Sequence, residues 1–220
     1  MLSIEEREIR KHQIGASEIY KLLNFDTEEC QKLWELKIGL IEYEKLDSDA
    51  VTAGNILEED CLKFYEKSSG KELVYNERIE NDRIPGLVVS LDAREKLSNY
   101  PVENKVINQR TFDKWLSKRI YNAEWNNVKL NIPKIYYCQL QIQMATLNVD
   151  HGILNVNTLT NEEQNDPLNV TISELQNKQI ILSIDYELTN KLESRAKYML
   201  DCMKYKKRPS EIEYLEKYEF

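Results

Sequence analysis

Two stretches, Gly86-Leu-Val-Val-Ser-Leu-Asp92 and Pro101-Val-Glu-Asn-Lys-Val106, decide how this chain folds. Both have the short, apolar, β-branched character of strands, and the turn-forming Ser98-Asn99 between them predicts a hairpin. Side chains alternate across a strand, so Leu87, Val89 and Leu91 share one face while Val88, Ser90 and Asp92 share the other. In the second strand Glu103 and Lys105 face together and Asn104 faces away. If the strands pair, the charged faces coincide. Two carboxylates converging at a strand edge make a hard-oxygen site suited to Mg²⁺ or Mn²⁺. An ammonium beside them can orient a water and stabilise charge developing on phosphorus. That is phosphodiester hydrolysis in outline. The plainer alternative puts Asp92 in a turn and Glu103 and Lys105 on a solvated strand face.

Outward from the hairpin, the hydrophobic period changes. Upstream, helices are predicted over residues 3–12, 16–23, 27–38 and 48–68, with Asp26 or Thr27 as a cap and Gly39 and Gly70 as stops. The fourth carries Leu57, Cys61 and Phe64/Tyr65 on one face. A strand over 72–77 makes a three-strand meander with 87–92 and 101–107. Downstream come a helix over 109–118 and a helix opened by Pro133 with the stripe Tyr136, Leu140, Met144 and Leu147. Strands follow at 152–159, 168–173 and 179–184, then an amphipathic helix over 187–206. Helices before and after a small sheet, with one crossing between strands, indicate a mixed α/β (α+β) fold. With no repeat and no Pro/Gly/Ser linker, the 220 residues read as a single domain, 1–220.

Composition narrows the class. Hydrophobic residues at 41% and charged residues at 31% fit an ordered globular protein and exclude a fibrous or disordered one. No run approaches the ~18 apolar residues of a membrane span. The start MLSIEEREIRKH is too charged for a signal peptide, so a cytosolic or nucleoplasmic location is expected. Cys30, Cys61, Cys138 and Cys202 lie far apart without a CxxC pair and read as buried free thiols. A net charge of −8 argues weakly against a nucleic-acid partner, because phosphate affinity depends on local basic patches.

Further segments sharpen the reading. IGASEI (14–19), AGNILEED (53–60), PGLVVSLDA (85–93), PVENK (101–105) and YYCQLQIQMATL (136–147), in this order, resemble the YqaJ-like viral recombinase family of the PD-(D/E)XK nuclease superfamily over about residues 7–160. The resemblance implies a restriction-endonuclease-like mixed sheet flanked by helices. It also implies a Mg²⁺-dependent 5′→3′ exonuclease on linear double-stranded DNA, leaving 3′ single strands for an annealing protein and assembled as a homotrimer. Asp92, Glu103 and Lys105 match its catalytic set, Glu58 a further metal ligand with Glu59 as fallback, and Gln139 a glutamine behind the site. Gln139, with Gln143 one turn on, is expected to face inward and Gln141 away.

Arg10 and Ser17 fall where such enzymes bind a 5′-phosphate; Ser17 equally fits a simple helix cap. Arg110, Lys114, Lys118 and Arg119, interleaved with Trp115 and Trp125, suit either a DNA grip or an amphipathic helix with its aromatic residues in the core. The run Lys204, Lys206, Lys207, Arg208 reads as a solvated helix end. Two departures stand out: Asn104, where relatives carry an apolar residue, demands a wet or hydrogen-bonded surface, and Ala93 replaces a frequent glycine. A restriction-like or junction-cleaving endonuclease and a non-catalytic DNA-binding subunit remain the alternatives.

Overall fold

The computed structural model describes residues 9–42, 49–117 and 122–218. The chain runs through β1 (Ile14–Gly15), a 3-10 helix (Ala16–Leu23), α1 (Glu28–Lys37) and α2 (Asp49–Ser69) into β2 (Leu73–Glu80), β3 (Leu87–Glu95) and β4 (Pro101–Asn108). There follow α3 (Gln109–Ser117), a hairpin of β5 (Ala123–Trp125) and β6 (Val128–Leu130), α4 (Lys134–Leu147) and β7 (His151–Leu159). The short α5 (Asn161–Asn165), β8 (Asn177–Ser183), α6 (Tyr186–Lys204) and α7 (Glu211–Tyr218) complete it.

Local chemistry explains the boundaries. Thr27 caps α1 by accepting the Cys30 N–H, and Gly39 ends that turn region at φ +80°, which a side chain resists. Asn148, in the left-handed region at φ 54°, stops α4. Cys138 to Ala145 of α4 are all buried, because Leu140 and Met144 pack on the sheet with Leu154 and Val156 while Cys138 and Ile142 pack against α6 and the 3-10 helix. The expected single stripe is therefore half of the helix's apolar surface.

The main sheet has the order β2-β3-β4-β7-β8, with β4 and β7 parallel and the other neighbours antiparallel. β2 occupies one edge of β3 along almost its full length. The opposite edge is shared: β4 pairs only at Ala93↔Val102 and Arg94↔Pro101, and β1 pairs in parallel at Leu87 and Val88. β3 and β4 therefore part immediately beyond their turn, and β1 fills the other arm of the fork. α2 covers one face of β4, packing Leu62 and Tyr65 on Val102, while α3 and α4 cover the other at Ile107.

Some expectations need correction. The strand expected at 168–173 is absent: Pro167–Asn169 form a 3-10 turn, and the following β-branched run has no strand partner. Only Ile172 of that run is buried, against Leu57 and Cys61 of α2. The helix expected at 16–23 is present with those bounds, wound as a 3-10 helix. The helix expected at 3–12 falls largely outside the described residues, with 9–11 helical. The β5–β6 hairpin, β1 and α7 were not anticipated. All four cysteines are free and buried, as expected, and burial pushes the Cys30 and Cys61 thiols up to about 12. No helix among the described residues is long and apolar enough to cross a membrane.

Candidate active site

The fork between β3 and β4 is where the acidic residues gather. Beyond the last paired positions the next residue of each strand is Asp92 and Glu103. Asp92 turns into the gap and its Oδ2 accepts the Asn104 backbone N–H at 2.8 Å, a donor that the diverging ladder has released. Glu103 is 1% exposed. Its Oε1 accepts from Lys105 Nζ and from Gln139 Nε2 (2.7 Å), and its Oε2 from Gln143 Nε2 at 2.6 Å. Gln143 also reaches the Ser90 carbonyl at 3.3 Å, tying α4 to β3. Lys105 lies over the Tyr136 ring at 5.5 Å.

The electrostatics are unbalanced. Burial, then the Glu103 carboxylate, push the Asp92 carboxyl well above the usual carboxylate range, with Lys105 and the Asn104 N–H only partly opposing. Burial would lower the Lys105 ammonium, but Glu103 and Asp92 outweigh it and hold the group charged. Glu58, on the half-buried flank of α2, is raised by burial and by Glu103 while Lys105 pulls it down, which places it in the same field. The fallback Glu59 is instead exposed and paired with Lys63. Three carboxylates thus share one ammonium.

A divalent cation fits that imbalance. Asp92 and Glu103 are hard oxygen donors, one carboxylate is already destabilised by its neighbour, and the orphaned buried Gln143 Oε1 marks further unmet polarity. Among the described residues no three acidic, His or Cys side chains close into a ligand cluster, so Glu58 stands off from the pair. One or two carboxylates completed by water and phosphate oxygens is the usual manner for Mg²⁺.

A cleft of about 330 Å³ joins these groups to Arg10 and Ser17. Arg10 is half-buried and its Nε has no hydrogen-bond partner; Ser17 is exposed in the first turn of the 3-10 helix. Lys37, buried in the same cleft, donates to the Arg10 carbonyl at 3.0 Å and pairs with Glu18 at 2.8 Å, so the Arg10 backbone is fastened to α1. On α3, Phe112 and Trp115 are buried, Trp125 packs edge-on to Phe112, and Arg110 and Lys114 are exposed. The aromatic residues of that segment therefore serve the core; Lys118 and Arg119 lie outside the described residues.

Sequence reasoning undervalued three residues. Gln143, four after Gln139 and so on the same helix face, holds the second oxygen of Glu103 directly. Gln141 faces away as expected but is fully buried, bridging the Ser183 carbonyl and the Asp185 N–H. Lys37 gave no signal, since its contact with Arg10 crosses from α1. The polar face expected at Asn104 is hydrogen-bonded: its Oδ1 accepts from Asn155 and Asn157, and Asn177 bridges those two.

A mixed sheet that forks between two strands, with an aspartate at the fork and Glu-x-Lys on the facing strand, defines the restriction-endonuclease-like fold class. Within it, the chain belongs to the YqaJ-like viral recombinase domain family, whose sequence profile matches residues 7–150. Among solved structures it is similar to LHK-Exo in complex with dAMP, with a TM-score of 0.70 and 18% identity over 98% of this chain and 97% of that one. LHK-Exo is an alkaline exonuclease from Laribacter hongkongensis, and a second structure of it gives a TM-score of 0.68 at 18% identity, over 94% and 93% of the chains. A phage-related exonuclease from Haemophilus somnus 129PT follows at 0.60, with 15% identity over 88% of this chain and 96% of the other. No curated protein sequence matches the chain.

Proposed function

We propose that the protein is a Mg²⁺-dependent 5′→3′ exonuclease on linear double-stranded DNA that leaves 3′ single-stranded overhangs for a recombination partner. The observation that carries this reading is the continuity of one cleft from Asp92, Glu103 and Lys105 to Arg10, whose buried Nε has no hydrogen-bond partner. An acidic centre alone suits any nuclease of the class. A centre with an anion pocket beside it suits one that starts from a phosphorylated end. The family and the exonucleases it resembles in fold support the same choice.

In this reading Asp92 and Glu103 hold the cation, with Glu58 on its flank, and Mn²⁺ substitutes for Mg²⁺. The bound cation supplies a Lewis acid for the scissile phosphate and lowers the pKa of an attacking water. Gln139 and Gln143 fix both oxygens of Glu103, so its orientation is set before substrate arrives. Lys105, kept cationic, orients the attacking water and offsets charge gathering on the phosphoryl oxygens. Arg10 and Ser17 hold the terminal phosphate, placing the next phosphodiester at the fork. Arg110, Lys114, Lys118 and Arg119 are assigned to the duplex backbone. By family likeness the protein is a ring-shaped homotrimer working with a single-strand annealing protein.

The test uses 5′-phosphorylated linear duplex, with Mg²⁺, labelled separately at each end, and closed circular DNA of the same sequence. Release of mononucleotides from 5′ ends, with circles intact and activity lost in Asp92→Asn, is the expected result. Cutting of closed circles establishes the endonuclease alternative instead. Inactivity of the wild-type protein with retained DNA binding leaves the non-catalytic subunit.

A further inference from the structure

Past Lys37, which lines both, the active-site cleft adjoins a second cavity of about 550 Å³. Its lining is basic: Lys11 and His12 precede β1, Lys37 forms the shared wall, and Lys204 and Lys206 come from the end of α6. Ile38, Leu200 and Met203 supply apolar surface between them. The two sides are packed together at Gly86, where an added Cβ would lie 3.0 Å from Leu200 Cδ2 and 3.5 Å from the His12 carbonyl oxygen.

The charge here runs against the molecule's overall −8. The C-terminal end of α6 contributes roughly half a negative charge. Lys204 and Lys206 more than cancel it, because both are exposed and neither has an acidic partner among the described residues. The two cations that follow are already engaged, Lys207 with Glu213 and Arg208 with Gln31. Apolar walls with ammonium groups at the rim suit a chain of phosphates carrying rings, and the volume lies within the ~300–1,000 Å³ common to ligand sites.

The junction of the two spaces assigns the occupant. Arg10 lines the active-site cleft together with Asp92, Glu103 and Lys105, its chain neighbour Lys11 lines the second cavity, and Lys37, which donates to the Arg10 carbonyl at 3.0 Å, lines both. A strand whose 5′-phosphate sits at Arg10 ends there and leaves the cavity empty of DNA. A strand that continues past Arg10 toward Lys11 and Lys37 enters this basic cavity. We infer that the second cavity binds the phosphodiester backbone of a single strand extending 5′ of the scissile bond, so that duplexes with a 5′ tail are bound and cut. The inference rests on the nuclease reading above and extends it to a second substrate form.

The experiment compares wild type and K204E/K206E on one duplex, blunt and 5′-phosphorylated or carrying a 5′ tail of about ten thymidines, within the ~4–16 nucleotides that single-strand sites span. The expected result is about a tenfold slower attack on the tailed end, with the blunt end unchanged within about twofold. K204Q/K206Q, which adds no repulsive charge at the helix end, shows the same selectivity in smaller size. In parallel, the fluorescence anisotropy of tailed DNA is titrated against salt, using D92N and D92N/K204E/K206E. Loss of two single-strand phosphate contacts lowers the log–log slope by about 1.4. Equal slowing on both ends, or no change in slope with tailed cleavage unaffected, overturns the inference. Absence of cutting by wild type on either end refutes the nuclease reading alone, and the anisotropy slopes then decide the cavity by themselves.

Discussion

The Asn104 backbone N–H lies 2.8 Å from Asp92 Oδ2, at the point where β3 and β4 cease to pair. The hydrogen bond replaces the ladder bond that the fork gives up, so the gap is held open by the acid that occupies it. The other side of Asn104 is equally fixed, its side-chain oxygen taking donors from Asn155 and Asn157 of β7. Asp92 is therefore oriented by a strand that cannot slide without breaking a buried amide network. This arrangement makes Asp92 rigid and energetically costly together.

That cost yields the first prediction. In the metal-free protein, ionising Asp92 puts a buried charge beside Glu103, and replacing it by Asn keeps an acceptor for Asn104 while removing that cost. Asp92→Asn should raise the melting temperature of metal-free protein, and Mg²⁺ should stabilise wild type but not the variant. Thermal denaturation with and without saturating Mg²⁺ reads both effects. A variant less stable than wild type without metal refutes the account of the site's charge.

Two glutamines two residues apart, on opposite sides of α4, should separate catalysis from folding. Gln143→Leu removes the donor to Glu103 Oε2 and leaves a buried carboxylate oxygen short of a partner. Gln141→Leu strips the link between the Ser183 carbonyl and the Asp185 N–H. Each should cost about 1–3 kcal/mol in urea unfolding. Only Gln143→Leu should also lower the rate at saturating substrate, by about tenfold or more. Equal rates for the two would show that Glu103 needs no second support.

How far the sequence carried the reading depends on distance along the chain. Alternation in 86–92 and 101–106 was enough to put Asp92 near Glu103 and Lys105, because neighbouring strands joined by a short turn pair locally. The fork was hidden, since it depends on β1, two residues that pair with Leu87 and Val88 from far upstream. Lys37 was hidden for the same reason. Other misses had signals at hand: Asn126 and Asn127, both at positive φ, make the β5–β6 turn, and Pro209-Ser210 precedes α7. The false strand at 168–173 shows the opposite failure, where Val170-Thr171-Ile172 has strand composition but finds no partner edge.

α7 is clamped by an ion pair whose pH response has a definite sign. Arg195, almost fully buried, donates to Glu211, and its guanidinium lies 5.0 Å from the Phe25 ring centroid and 4.4 Å from that of Tyr214, two rings that pack on each other. Burial alone would raise the Glu211 carboxyl; the Arg195 hydrogen bonds and the Phe25 N–H outweigh it and hold the group below its usual value. A depressed folded pKa contributes stability that is complete above the unfolded value of about 4.3 and is lost as pH falls through the folded one. Glu211→Gln should flatten the acid side of the stability profile below about pH 4. Glu211→Ala should cost about 3 kcal/mol or more at neutral pH, because it strands a buried guanidinium. Parallel acid profiles for wild type and Glu211→Gln would remove this pair from the account.

The anion pocket gives the last prediction, and it turns on the shape of the guanidinium as well as its charge. Arg10 Nε is buried without a partner, and Lys37 grips the Arg10 carbonyl, so the backbone is anchored at a residue that keeps a guanidinium donor unused. A terminal phosphate can take two parallel N–H bonds from that fork, whereas an ammonium offers one point of charge. A charge-assisted hydrogen bond is worth about 1.5–3 kcal/mol, so Arg10→Ala should slow attack on 5′-phosphorylated ends by roughly 10–100-fold. Attack on 5′-hydroxyl ends lacks that bond already and should change little. Arg10→Lys should recover only a minor part of the loss, because the fork is gone while the charge remains. Ser17→Ala should show the same preference for phosphorylated ends in weaker form, since one hydroxyl donor is removed. Initial rates on matched phosphorylated and hydroxyl duplexes decide it: the two rates falling together in Arg10→Ala would mean that Arg10 supports the fold or the duplex and does not read the end.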